Sequence, residues 1–429
     1  MGNWGRAAAT DRAVILLAMV FLGGCVSQLP ASPAQSVCRP DLEHVPDPSA
    51  KRRPSSDRPL LFPIRLTDDG EYVSRCELTD ALQELRAPGA YLAVIYIHGW
   101  KHNAHLDDPD RLRFQALLNR LGDEQALLAA RPGRPRPLRV VGLFIAWNGE
   151  SLAVPVVENL SFWGRKKASD LIAHSATTTK IISAIDAVQQ RRRALDPHIG
   201  DVTVYVGHSF GARMLYSAVS QVLIHNVESE FPDTLGGQVG VNLNQPLPPD
   251  ARYGAIAGFG DLVVLLNPAF EASFYKSFQT LVRPGGSADA AIPRERFAPT
   301  QEPLMLTLSA KNDMATRIAF PLGQTIAFDA SRIRRTTLGN YPPALTHSLD
   351  ETAAGSTKAP GTYWFDDFCS QSVCLRRDPQ LPTTGDPFIV AQAPPSIIDG
   401  HSGIWGPKLQ DFLVAFIGEV IRRRDAVRQ

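Results

Sequence analysis

The pentapeptide Gly207-His208-Ser209-Phe210-Gly211 constrains this chain more than any other stretch, because of what flanks it. It follows the apolar run Val202-Thr203-Val204-Tyr205-Val206 and leads into a helical pattern from Ala212. Passing from a buried strand to a helix in so few residues forces a tight, strained turn with the serine at its apex. The two glycines permit it, since side chains there would collide with the neighbouring strand and helix. Such a turn lifts Ser209 Oγ to the sheet edge, over a helix N-terminus whose free N–H groups favour developing negative charge. The chemistry expected of that arrangement is nucleophilic attack by serine.

Around it the chain alternates apolar strands with amphipathic helices. Candidate strands are Leu92–Ile97, Val140–Trp147, Val202–Val206, Leu262–Leu266, Leu304–Leu308 and Phe388–Ala391. All but the last are near-continuous apolar runs, as in parallel strands covered on both faces. Asp108-Pro109 supplies an N-cap and an N1 proline for a helix through Leu112, Leu117 and Leu118. Further helices are expected over roughly 168–193, after the serine turn, and at the C-terminus, where Leu409, Phe412, Leu413, Phe416, Ile417, Val420 and Ile421 form one apolar stripe. Leu60–Leu66 and Glu71–Val73, separated by Asp68-Asp69-Gly70, predict an antiparallel hairpin. The alternation implies one α/β domain over 58–429 with a doubly wound, mostly parallel sheet. Three stretches rich in Gly and Pro, about 148–166, 229–258 and 317–386, break it and are expected to form cap or lid elements around a pocket.

A serine hydroxyl needs a base, and the base needs an orienting acid. Leu304–Leu308 opens into Ser309-Ala310-Lys311-Asn312-Asp313, which sets Asp313 just past a strand end. His401, in Asp399-Gly400-His401-Ser402-Gly403, stands on a glycine-flanked loop between the last strand and the last helix. The other histidines after Ser209 are placed less well: His225 falls within a helix, and His347 lies in a Pro-rich stretch with no strand to position it. Asp261 is the alternative acid, although it precedes a strand; Asp366, Asp367 and Asp399 rank below it. An oxyanion hole needs two convergent N–H donors. Phe210, next after the nucleophile, is one, and Trp100, in His98-Gly99-Trp100 after Leu92–Ile97, is the other. Trp100, Trp147, Phe162 and Phe210 read equally as an apolar acyl pocket or as plain core.

Tyr96-Ile97-His98-Gly99-Trp100, Gly207-His208-Ser209-Phe210-Gly211, Ser309-Ala310-Lys311-Asn312-Asp313 and Asp399-Gly400-His401 together resemble the α/β-hydrolase superfamily, lipase/esterase type, in order and spacing. The resemblance covers roughly residues 60–429. It implies a Ser209–His401–Asp313 triad, no cofactor, and a small-molecule or lipid ester as substrate. A thioesterase, acyltransferase or peptidase would use the same residues, and a lipid-anchored binding protein could keep the fold without the catalysis.

The N-terminus reads as an address. Arg6 and Arg12 precede the apolar run Ala13–Leu22, which is too short to span a bilayer and fits a signal peptide, residues 1–24. Leu22-Gly23-Gly24-Cys25 resembles a bacterial lipobox, which implies lipidation of Cys25 and a membrane partner through that anchor. By the sorting pattern of the lipoproteins it resembles, Val26 in place of aspartate implies the outer membrane, periplasmic side. The Pro- and Ser-rich stretch 25–57 is expected to be a flexible tether. Four cysteines remain, an even number suited to an oxidising compartment, with three possible pairings. Cys369 and Cys374 close a short loop and are paired here, which leaves Cys38 with Cys76.

Composition narrows the partners. Among 429 residues, 20% charged, the formal net charge is +1, so no polyanion-binding surface is expected and nucleic acid is set aside. The runs Arg165-Lys166-Lys167, Arg191-Arg192-Arg193 and Arg422-Arg423-Arg424 read as solvated helix faces or C-terminal dipole complements. His98, His102 and His105 lie close in sequence, but His98 ends a strand and Lys101 adds positive charge, so no metal site is expected.

Overall fold

A computed structural model describes residues 58–427 except 101, 104, 131–136, 148–168, 174, 231–253, 283–296, 320–330, 353–362 and 382–383. The strands are β1 (Leu60–Arg65), β2 (Tyr91–Ile97), β3 (Arg139–Ala146), β4 (Val202–His208), β5 (Leu262–Leu266), β6 (Met305–Ala310), β7 (His347–Glu351), β8 (Asp367–Cys369), β9 (Val373–Arg377) and β10 (Phe388–Ala393). The main helices are α1 (Arg75–Arg86), α2 (Pro109–Ala129), α3 (Ala176–Leu195), α4 (Phe210–Glu230), α5 (Lys276–Val282) and α6 (Pro407–Val427).

All ten strands join one sheet, in the order β1-β3-β2-β4-β5-β6-β10-β7-β9-β8. From β1 to β7 every pairing is parallel, and only β7–β9 and β9–β8 are antiparallel. The central strands β2, β4, β5 and β6 are buried along their whole length, which requires cover on both faces. The helices supply it as two groups: α1, α3, α4 and α5 pack in series, and α2 packs on α6. This is an α/β architecture with a mostly parallel sheet. Because β2, β4, β5, β6 and β10 run the same way, the loops after them leave from one sheet edge.

Local rules explain the helix ends. Asp108 Oδ1 accepts N–H bonds from Asp110 and Arg111, and Pro109 follows at the first helical position of α2. The stripe on α6 is buried throughout, with Phe412 and Phe416 meeting Phe368, and Phe416 also Trp364. Each such side chain contributes about 1.5–3 kcal/mol by leaving water.

Several expectations need correction. The stretch 317–386 contributes three strands to the sheet: β8 and β9 pair as an antiparallel hairpin, and β9 also pairs with β7, which extends the sheet beyond β10, with His347 opening β7 and paired with Arg377 of β9. The disulfide Cys369–Cys374 clips β8 to β9. Cys76 is disulfide-bonded as well, while Cys38 lies outside the described residues. Most of the other two proposed lid stretches lies outside them, as do Phe162, Cys25, the signal segment and the tether. The N-terminal hairpin is a turn only. Leu66 bridges Tyr72, but β1 itself pairs in parallel with β3, whose apolar run gives it a buried partner.

The basic runs are not merely solvated. Arg192 donates to Asp201 and caps the carbonyls of Arg86, Ala87 and Gly89 beyond α1, and Arg193 binds Asp261 at 2.8 Å. Arg424 pairs with the same Asp261, while Arg422 and Arg423 pair with Glu419 along α6. Asp201 and Asp261 are buried just before β4 and β5, so burial without these guanidinium partners would be costly. Lys166 and its neighbours lie outside the described residues.

Candidate active site

Between the last residue of β4 and the first of α4 there is one residue, Ser209. It takes a left-handed φ of 56°, one of two such non-glycine residues among those described. That conformation is costly for an L-residue and marks a position held by its surroundings. Its N–H bonds the carbonyl of Leu266 at the end of β5, and its carbonyl accepts from Arg213 and Ala269. A Cβ on Gly211 would stand 2.1 Å from the carbonyl oxygen of Ile97, so α4 approaches β2 as only glycine allows. Gly211→Ala is therefore expected to destabilise the fold by about 1–3 kcal/mol, through forced backbone movement. A urea midpoint equal to wild type would refute that.

Three segments converge on Ser209. His401 Nε2 stands 2.7 Å from Ser209 Oγ, and its Nδ1 stands 2.7 Å from Asp313 Oδ2. The carboxylate accepts from Nδ1–H, which leaves Nε2 free to accept the serine proton. Asp313 Oδ1 takes N–H bonds from Ala315 and Thr316. Burial alone would raise the Asp313 carboxyl, but the facing His401 and the Thr316 bonds outweigh it and hold the group below its ordinary value. Ser209 and Asp313 have no exposed surface, while 15% of the His401 side chain is exposed. The acid and base loops are stitched together by Asn312. Its Oδ1 accepts from Gly400 N–H, and its Nδ2 donates to Asp399.

The alternative acids lie elsewhere. Asp261 is at the opposite end of the sheet with its arginines, Asp366 sits beside His347 and Arg377, and Asp399 serves Asn312. His347 is buried at the start of β7 and His225 lies within α4.

The loop after β2 is pressed against the nucleophile. A Cβ on Gly99 would come within 2.8 Å of both Ser209 Cβ and His208 Nδ1. His98, fully buried, fixes this loop: its Nδ1–H donates to Gly99 O at 2.8 Å, and its Nε2 accepts from Trp147 N–H at 3.1 Å. The Trp147 indole stacks on the imidazole and donates to His98 O. In a trans peptide the C=O and the next N–H point oppositely, so anchoring Gly99 O turns the Trp100 N–H away from His98. Burial pushes the His98 imidazole down to about 4, so the ring is neutral and can accept as well as donate.

His208 acts on the base loop. Its Nε2–H donates to the His401 carbonyl at 3.0 Å, and burial, seconded by the nearby His401, pushes its pKa down to about 4. Asp110 links β2 to the turn after the base loop, accepting from Tyr96 OH at 2.5 Å and from the Trp405 indole N–H. His102 lies 3.3 Å from Asp108 and 3.7 Å from Asp110. Among the described residues no group of three His, Cys, Asp or Glu side chains is arranged to hold a metal ion, and no helix is long and apolar enough to cross a membrane. Phe210 and Trp147 are fully buried and belong to the core, whereas Trp100 is half-buried.

The structure brings together Ser209, Asp313 and His401, the three residues singled out in the sequence, and adds contacts that the sequence did not reveal, those of His98, His208 and Asp110. Histidines at strand ends beside the glycines of two motifs were the available signal for the first two. No protein-family model matches this chain, and neither a curated protein nor a solved structure matches it.

Proposed function

We propose that this protein is a serine hydrolase of the α/β-hydrolase type that cleaves carboxylic esters through an acyl-enzyme. The observation that carries the reading is the unbroken chain Ser209 Oγ, His401, Asp313, two bonds of 2.7 Å each, with the serine in a left-handed turn between strand and helix. Other parallel-sheet proteins carry polar residues at this sheet edge, but hydroxyl, imidazole and carboxylate in series is the arrangement that activates a serine.

The chemistry follows from the proton positions. As Ser209 Oγ attacks the ester carbonyl carbon, its proton passes to His401 Nε2 and the carbonyl π pair moves onto oxygen. Asp313 stabilises the imidazolium through Nδ1–H. The backbone N–H groups of Phe210 and Trp100 are assigned to the oxyanion, and one such donor supplies about 2.7–4 kcal/mol of transition-state stabilisation. When the tetrahedral species collapses, the alcohol leaves with the proton from Nε2 and the acyl group stays on Oγ. Water, deprotonated by the same nitrogen, then attacks the acyl carbon, and Oγ departs as the hydroxyl. No step calls for a cofactor.

The test is a fluorophosphonate probe with peptide mapping, beside turnover of p-nitrophenyl esters of increasing acyl length. Labelling at Ser209 with ester turnover is expected; labelling of another residue moves the nucleophile. Comparing matched ester, thioester and amide substrates fixes the bond class.

The same proposal sets the enzyme at a lipid surface through Cys25, on the motif Leu22-Gly23-Gly24-Cys25. Labelled palmitate is expected to enter the wild-type chain and to be absent from Cys25→Ala; incorporation that persists in the variant removes the anchor from this cysteine.

A further inference from the structure

The residue after β5, Asn267, is the other non-glycine residue in the left-handed region, with φ of 43°. It is buried, and its side-chain amide bridges the loop of His401 and the end of β6. Nδ2 donates to the His401 carbonyl at 2.8 Å and to that of Gly400 at 3.1 Å, while Oδ1 accepts from Ala310 N–H at 2.8 Å. The amide's orientation is unambiguous, since two carbonyls face one end and an N–H the other. Its backbone N–H binds Leu308 O, and the preceding carbonyl, of Leu266, receives the Ser209 N–H. Thus the Leu266–Asn267 unit bonds the nucleophile, the end of the acid-bearing strand β6, and the base itself.

We propose that Asn267 is a positioning residue, which holds the His401 imidazole between Ser209 and Asp313 by fixing the base loop to β6. The inference rests on the serine-hydrolase reading for its kinetic consequence, though not for its geometry. Nothing in the strand–loop pattern demands asparagine here. The left-handed backbone suits glycine better, and a buried amide is worth retaining only when all its bonds are made. Here both Nδ2 bonds end on the loop that carries the base. His208 supplies a second bond to the same His401 carbonyl, so removing Asn267 should displace the loop without releasing it.

Glycine and aspartate replacements separate a backbone role from a side-chain role. Asn267→Gly suits the left-handed backbone and deletes the amide; Asn267→Asp keeps the acceptor for Ala310 N–H but turns an oxygen toward two carbonyls. Both are expected to lower kcat on a p-nitrophenyl ester by about 100-fold, the order that a displacement of about 1 Å costs, with KM changed less than about threefold. The downfield proton resonance of His401 Nδ1–H should shift or broaden in both. Wild-type kcat in Asn267→Gly, with that resonance unmoved, would overturn the proposal, because the position would then matter only for its backbone angle. The resonance is read in a Ser209→Ala background as well. If the wild-type protein turns over no ester and takes up no fluorophosphonate, the hydrolase reading fails while the resonance still decides the proposal: altered in Asn267→Gly supports it, unaltered overturns it.

Discussion

Ser209→Ala is expected to lower kcat on a p-nitrophenyl ester by about 10⁶-fold, and Asp313→Asn by about 10⁴-fold, with both variants folded. The first figure corresponds to about 8 kcal/mol of lost barrier reduction, since among the described residues Ser209 is the hydroxyl bonded to His401 Nε2. The second follows from how Asp313 is held. Its Oδ1 is taken by the N–H groups of Ala315 and Thr316, so an asparagine must put its own oxygen there and turn its NH₂ toward His401. Facing a donor, Nδ1 must present a lone pair, and the ring proton moves to Nε2. An imidazole protonated at Nε2 has nothing with which to accept the serine proton. The asparagine variant should therefore keep its melting temperature within a few degrees of wild type while losing most of its rate. Retention of kcat within tenfold in Ser209→Ala would sink the acyl-enzyme mechanism. Retention in Asp313→Asn would leave the serine in place and remove the carboxylate from the chemistry.

The parts of this protein legible in its sequence are those specified by near neighbours. β5 is an uninterrupted apolar run and β4 is nearly so, broken only by Thr203 and its terminal Gly207-His208, the pattern that two-sided burial favours in a central parallel strand. Asp108-Pro109 announces α2 because a cap and an N1 proline act within one turn. Ser209, Asp313 and His401 were legible because each follows a strand end, and parallel strands send those ends to one edge. The strands β7, β8 and β9 were not. β7 reads His-Ser-Leu-Asp-Glu with only alternate residues buried, and β8 is three residues long, so neither offers an apolar run, and both lie among prolines. Nor did charge pattern reveal the partners of Arg192, Arg193 and Arg424. Their carboxylates, Asp201 and Asp261, are set by the fold rather than by helical spacing, although an acid directly before each of two buried strands was a usable sign. His208 and Asn267 were illegible for the same reason. Their function lies in bonds to a loop well over a hundred residues away.

His208 and His98 make acid a specific threat to the fold. An ordinary imidazole titrates near 6.5, and burial pushes each of these down to about 4. Between those values the unfolded chain binds a proton at each position and the native protein does not, so native stability falls as pH drops from 6.5 to 4. The displacement is worth about 3 kcal/mol for each ring. Asp366 acts in the opposite sense: burial raises its carboxyl to about 6, so the native state takes up that proton first and gains stability as pH falls from 6 to 4. His102, held above its ordinary value, has its contribution complete below 6.5 and loses it only as pH rises. The depressed Asp313 adds a loss at still lower pH, as pH passes through its native value. The wild-type curve is thus a difference of contributions, and substitution isolates one. His208→Gln puts an amide donor where Nε2–H reaches the His401 carbonyl but has no proton to gain. Urea unfolding at pH 7 and at pH 4 should show this variant losing about 3 kcal/mol less than wild type over the interval. Parallel losses in the two proteins would mean that the native imidazole takes up its proton near its ordinary value, so that by pH 4 the carbonyl of the base loop is bonded by a charged ring.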